Sequence, residues 1–335
     1  MVEYFPSKPG DSFGFRDITY EKRDLIARIT LNRPHHYNAY STDTLRELIT
    51  AFNDASNDDA VGVIVYTGSG DKAFCTGGDV KEYAAEYTQR PRDYWKYMRL
   101  FAGYIESIFK NSKVVVARIN GMAVGGGNES QLACDLSVMA DDTFLAQVGT
   151  NVGSVACGGS TQWLALHVGD RRAREILFLN ERIPAAKALE WGLVTRVVPR
   201  DQLDAEVDAI CQHLLDKFPE CTRYTKVQAN YWKEAAWHAT VGHATDWLST
   251  HYTSAEPWEG MSAFVEKRKA DYRGLRQKAA DGGSSEFIWG PPRHQCPECG
   301  AKGIPAEFQF CGQCGASLVA VPQPTAAGNG QQAGA

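Results

Sequence analysis

The chain has 335 residues, of which 44% are hydrophobic and 22% charged, with a net charge of −5. That length allows a large core plus an appendage, and the acidic balance makes nucleic acid an unlikely partner. No apolar run reaches about 18 residues and no basic-then-apolar leader is visible, which argues against membrane-spanning and secreted classes. Nine cysteines, four in one C-terminal pattern and five scattered among apolar residues, suit a reducing, cytoplasmic setting better than a disulfide framework.

Residues 1–14 hold prolines and glycines without periodicity and read as an arm. Phe15–Tyr20 and Leu25–Leu31 alternate apolar with polar residues, predicting a hairpin with its turn at Lys22–Asp24. Asn32-Arg33-Pro34 breaks the pattern, and Ser41–Asn53 predicts a helix capped by Ser41 or Thr42. Val61–Thr67 is a buried-strand run, followed by the glycine turn of KAFCTGGD at 72–79. Tyr83, Tyr87, Tyr94, Tyr97 and Tyr104 recur at helical spacing, which predicts core or half-buried positions.

The most informative stretch is GMAVGGGNESQLACD at 121–135, after the apolar run Val114–Ala117. Strand, tight turn and helix start follow from β-branched residues, three glycines and a helix-competent run. N–H groups at a helix start have no intrahelical partner, so such a turn can hold a developing oxyanion. Glu129 projects beside it from the first helical turn. Such turns also bind phosphate or merely reverse the chain. Two of them after two buried strands, however, can converge two N–H donors on one oxygen.

Beyond this region, Asp170 predicts an N-cap for Arg171–Leu179, Pro184 opens a helix ending before Gly192, and Leu193–Val198 is a short strand. Residues 204–269 are mostly helical, with Trp232, Trp237 and Trp247 on expected packing faces. DGGSSEFIWGPPR at 281–293 is a linker by composition. Cys296, Cys299, Cys311 and Cys314 then form two CxxC knuckles, each followed by glycine, which predicts a tetrahedral, structural zinc ribbon, with iron the lesser option. The tail over 321–335 predicts disorder.

Over residues 15–273 the chain resembles the crotonase (enoyl-CoA hydratase/isomerase) superfamily. The resemblance is carried by ITLNRPHHYNA at 29–39, GSGDKAFCTGGD at 68–79, GMAVGGGNESQLACD at 121–135, VGSVACGGSTQWL at 152–164, the segment 173–199 and EKRKADY at 266–272. It implies an α/β fold with a ββα spiral core over 15–203, a helical trimerisation region over 204–277, a linker over 278–293 and the ribbon over 294–320. A homotrimer or homohexamer is the implied assembly, and the ribbon could dock a protein partner. Coenzyme A would enter as part of an acyl-CoA substrate whose thioester becomes an enolate, held by the N–H groups of Gly78 and Gly126. Arg33 would line the CoA tunnel, and Lys72, Ala73, Phe74 and Asp79 would border the ligand at the first turn. Tyr83 would reach the acyl pocket, and Lys267 would meet a CoA phosphate.

Branch identity turns on a few positions. Simple hydratases of the superfamily carry a second glutamate where this chain has Gly149. Dihydroxynaphthoyl-CoA synthases share that glycine and hold a bicarbonate with residues matching Gln147 and Gly149, but they lack Glu129 and commonly have Asp at the Ala156 position. Glu129, Gly149, Ser154 and Ala156 together resemble the branch that hydrolytically opens 6-oxocyclohex-1-ene-1-carbonyl-CoA or 2-oxocyclohexane-carboxyl-CoA, and Tyr252 falls where both that branch and the synthases carry an active-site tyrosine. The synthase, a plain hydratase and a non-enzymatic ribbon-bearing docking subunit are the alternatives.

Overall fold

The computed structural model describes residues 5–319; the predicted disordered tail and the first residues of the arm lie outside them. Among the described residues up to 271, ten strands make two sheets: β1 (Ile18–Arg23), β2 (Ile26–Leu31), β3 (Val63–Gly68), β4 (Ala73–Cys75), β5 (Val114–Ile119), β6 (Met122–Val124), β7 (Leu136–Ala140), β8 (Phe144–Ala146), β9 (Ile183–Pro184) and β10 (Arg196–Val198). The larger sheet has the order β1-β2-β3-β5-β7-β10 and the smaller β4-β6-β8-β9. Each turn of the spiral gives one strand to the large sheet and the next to the small one, as in β3/β4, β5/β6 and β7/β8.

All six residues of β3 are buried, as expected for a parallel strand covered on both faces. Val63 and Val65 pack with Leu203, Val207 and Ile210 of the helix Leu203–Leu215. Ile64 and Tyr66 face the main core, with Leu45, Leu48 and Phe52 of the helix Thr42–Asn57 and Ile105 of the helix Pro91–Phe109. Ser41 caps the first of these helices through a capping box with Thr44, as predicted.

The predicted hairpin forms, but its turn is Asp24–Leu25, because Arg23 pairs with Ile26. Both turn residues are left-handed, with φ of 51° and 63°, a two-residue geometry that favours glycine second. Leu25→Gly should therefore raise stability by about 1 kcal/mol, read as a higher melting temperature. Asp170 is the first residue of its helix rather than the cap; Gly169 takes the cap position, and Asp170 instead pairs with Arg174 at 2.9 Å. Pro184 precedes its helix, Ala185–Glu190, as the N-cap and closes β9.

The first compact unit ends at Asp271 and the second begins at Tyr272, so the helix Tyr272–Ala280 starts the second unit. In the first unit Trp237 is fully buried against Trp163 and Phe109, whereas Trp232 is 68% and Trp247 43% exposed in the single chain. No described helix is long and apolar enough to cross a membrane. In the second unit, Pro292–Gln295 pairs antiparallel with Lys302–Pro305, and Ile304, Cys296 and Cys311 form a small core.

Candidate active site and cysteine cluster

Two glycine turns build the candidate active site. One follows β4 at Gly77–Gly78 and the other follows β6 at Gly125–Gly126; β4 and β6 pair in parallel through Ala73↔Met122 and Cys75↔Ala123, which brings the turns side by side. Gly77 and Gly125 have φ of +86° and +55°, conformations that side chains rarely allow. A Cβ on Gly77 would stand 3.0 Å from the Gly126 nitrogen, so the turns touch. The N–H groups of Gly78 and Gly126 donate to no described residue. That of Gly126 opens the helix Gly126–Ala133, whose dipole favours negative charge there.

Glu129 lies one turn into this helix and is buried. Its Oε1 accepts from the backbone N–H groups of Gly158 at 2.7 Å and Ser160 at 3.2 Å, leaving Oε2 without a donor among the described residues. Burial pushes its carboxyl up to about 7, against the pull of those two bonds. Near neutral pH it can both take and return a proton. Gly158 leaves room for this arrangement: a Cβ there would meet the Phe101 ring at 2.4 Å and Glu129 Oε2 at 3.0 Å.

Gln147 is buried, and its amide donates to the Gly125 carbonyl at 3.4 Å and to Ser160 Oγ, tying the second turn to the segment that holds Glu129. Gly149 is crowded: a Cβ would lie 3.1 Å from the backbone of Val155 and Ala156. Its carbonyl accepts from Ser154 N–H at 2.9 Å.

Tyrosines wall the other side. The Tyr83 hydroxyl stands 1.7 Å from where a Cβ on Gly78 would be and bonds to that of Tyr97 at 2.6 Å. Tyr83 sits on a one-turn π-helical segment, Tyr83–Tyr87, ahead of the helix that carries Tyr94, Tyr97 and Tyr104 in the core. Tyr252 stacks on Tyr94 with centroids 3.7 Å apart. Burial raises the Tyr252 phenol to about 12, while the Tyr94 and Ser154 hydroxyls nearby pull it down. Neither forms a well-shaped hydrogen bond with it, so the buried Tyr252 hydroxyl has no hydrogen-bond partner among the described residues.

Other predicted residues have structural attachments. Arg33 bonds to Asp79 at 3.0 Å and to the Ala39 carbonyl at 2.5 Å, bracing the first turn. Asp79 also caps the short helix that leads to Tyr83. Phe74 is buried against Tyr66, and the Ala73 carbonyl accepts from Asn38 and Asn120. Lys72 and Lys267 are exposed.

The sequence reading missed Tyr40, whose backbone pairs with the Gly77–Gly78 turn while its hydroxyl lies 1.7 Å from where a Cβ on Gly126 would stand. It also missed Asn38, which staples this segment to the carbonyls of Ser69 and Ala73. Asn beside the Asn-Arg-Pro breaker was the available signal for the second.

In the second unit, the sulfurs of Cys296, Cys299, Cys311 and Cys314 all lie within 4.8 Å of one another, a group able to hold a metal ion. The knuckles are built alike: Cys296 N–H bonds to the Ala301 carbonyl at 2.8 Å and Cys311 N–H to that of Ala316 at 2.7 Å. Cys296–Cys314 and Cys299–Cys311 sulfur distances of 3.5 and 3.7 Å match thiolates sharing one tetrahedral ion with bonds of about 2.3 Å.

The family model for enoyl-CoA hydratase/isomerase matches residues 21–276. A protein from Geobacter metallireducens described as 6-oxocyclohex-1-ene-1-carbonyl-CoA hydrolase is 34% identical, over 76% of this chain and 81% of its own. Among solved structures, an enoyl-CoA hydratase from Mycobacterium avium subsp. paratuberculosis superposes with a TM-score of 0.70 at 27% identity, over 77% of this chain and 98% of that one. An enoyl-CoA hydratase/isomerase from Xanthobacter autotrophicus gives 0.70 at 27% identity, over 79% of this chain and 97% of that one. With its paired glycine turns, spiral of strands and buried glutamate, the chain belongs to the enoyl-CoA hydratase/isomerase family of the crotonase superfamily and is an acyl-CoA enzyme.

Proposed function

We propose that the protein hydrates and hydrolytically opens an alicyclic β-keto ring thioester, 6-oxocyclohex-1-ene-1-carbonyl-CoA or 2-oxocyclohexane-carboxyl-CoA. The observation that carries this reading is a site that keeps Glu129 and two free N–H donors but has a glycine, Gly149, in place of a second carboxylate, where a Cβ would lie 3.1 Å from the backbone of Val155 and Ala156. The hydrolase from Geobacter metallireducens supports it.

With the cyclohexene substrate, Glu129 takes a proton from water as the oxygen adds to the alkene carbon β to the thioester. The alkene electrons move onto the thioester oxygen, facing the N–H groups of Gly78 and Gly126, and Glu129 returns the proton to Cα. A second water adds to the ring ketone. The bond between that carbon and Cα breaks, its electron pair enters the same enolate, and Cα is protonated. In this reading Tyr252 or Tyr83 would assist that protonation. The product is an open-chain hydroxy dicarboxylic acid held as a mono-CoA thioester, two waters heavier than the substrate.

The test is a mass-spectrometric assay of both ring ketones, crotonyl-CoA and succinylbenzoyl-CoA in parallel. A gain of water with a new carboxylate from either ring ketone is the expected result. Water gained only by crotonyl-CoA, or lost only by succinylbenzoyl-CoA, would assign the enzyme to another branch.

We also infer that the four-cysteine ion is zinc. It would be structural, because four thiolates fill its coordination shell. A unit this small gains its folding energy from the metal. Chelation, or Cys311→Ser, should abolish amide protection over 292–319 in hydrogen exchange and drop bound zinc from one per chain. Turnover should survive, since every active-site group lies in the first unit. The exposed Phe218, Tyr231, Trp232 and Trp247 support a homotrimer or homohexamer, which light scattering measures directly.

A further inference from the structure

Tyr40 is built into the junction of the two glycine turns. Its N–H donates to the Gly77 carbonyl at 2.9 Å and its carbonyl accepts from Asp79 N–H at 3.0 Å, so its backbone is clamped to the first turn. Its ring stacks on Phe101, with centroids 5.6 Å apart and planes 21° apart, and abuts Tyr104 at 5.8 Å. The hydroxyl thereby reaches the second turn, beside the free Gly126 N–H. Phe101 also lines the wall at Gly158, the position that adjoins Glu129 Oε2. Although the residue is 2% exposed, the Tyr40 hydroxyl bonds to no described residue. A rigidly held, unused polar group next to a free N–H donor is arranged for a ligand.

Two N–H groups suffice for one thioester oxygen. A β-keto thioester carries a second carbonyl on the same Cα, and when it enolises the charge spreads over two oxygens lying side by side. We propose that the Tyr40 hydroxyl is a third donor, which binds the keto oxygen and makes the site selective for thioesters bearing a second carbonyl beside the first. This rests on the ring-ketone reading above and names the residue that recognises the ketone. Burial holds the Tyr40 phenol well above its ordinary range, so it stays a neutral donor across the working pH. In the ring substrate it would meet the ketone oxygen as water adds and that oxygen takes up charge.

The test uses the full-length protein with acetoacetyl-CoA, a β-keto thioester with no ring to open, and butyryl-CoA, which lacks the keto group. The bound enolate of acetoacetyl-CoA is followed by its near-ultraviolet absorbance. Tyr40→Phe removes a hydroxyl that bonds to no described residue, so the fold is spared. Wild type should enolise acetoacetyl-CoA and bind it more tightly than butyryl-CoA. In Tyr40→Phe the affinity for acetoacetyl-CoA should fall about tenfold or more, with butyryl-CoA unchanged within about twofold, and the pH of enolisation should rise by about one unit. An unchanged preference, an equal loss for both ligands, or no enolate in wild type would each overturn the role of Tyr40. The two readings fail separately. Ring ketones left intact beside a Tyr40-dependent enolate would sink only the ring-opening reaction, and ring opening without that dependence would sink only the Tyr40 assignment.

Discussion

Glu129→Gln is expected to lower turnover by a factor of about 10³ while leaving thioester affinity nearly unchanged. The amide keeps the shape and can still accept from Gly158 and Ser160, but it cannot take a proton from water. Because the carboxyl stands at about 7, kcat/KM of the native enzyme should climb with pH and level off above that value, and the variant should lose this inflection. Stability should move the other way. The folded-state pKa is raised, so the neutral carboxyl is fully accommodated below about pH 4.5. The stability it carries there is lost as pH rises through about 7, up to about 3 kcal/mol for a shift from 4.5 to about 7. At pH 8 Glu129→Gln should therefore melt higher than wild type, and at pH 4 the two should coincide. A variant that keeps full turnover would remove Glu129 from the chemistry.

Gly126→Ala is the second large effect. Its Cβ would stand 1.7 Å from the Tyr40 hydroxyl, whose backbone and ring are both held, so the turn itself must shift and its N–H must leave the oxyanion position. Turnover should fall by a factor of about 10²–10³, the usual cost of one such donor, and the melting temperature should drop as well. Adding Tyr40→Phe removes the clashing oxygen. The Tyr40 ring carbon Cζ would still lie 2.9 Å from that Cβ, so the double variant should recover part of the stability in thermal melts, while the rate stays low because the turn remains displaced and the Tyr40 hydroxyl is gone.

Both glycine turns and Glu129 were legible in the sequence because each is local: an apolar strand, a glycine turn and a helix start lie within fifteen residues of one another. The cysteine knuckles were legible for the same reason. What could not be read was the lateral contact. Tyr40 follows a breaker and shows no periodicity; its importance comes from pairing with Gly78 and reaching Gly126, residues far along the chain. Arg33 illustrates the same limit, because only the fold brings it to Asp79. The shifted hairpin turn and the Gly169 cap were decided by strand register and by backbone conformations that a residue pattern encodes weakly.

Gly149 bears on how such an enzyme could change its chemistry over generations. The resemblance implies a second carboxylate at that point in a plain hydratase, yet any side chain there would press on the backbone of Val155 and Ala156 at 3.1 Å, which would have to give by a few tenths of an ångström. The same stretch leads to Gly158 and Ser160, the two donors that hold Glu129. A single Gly149→Glu change would thus introduce the second acid while disturbing the first. Changing the chemistry by that one residue would therefore require the 155–160 segment to be remodelled with it, since the same backbone both meets position 149 and holds Glu129.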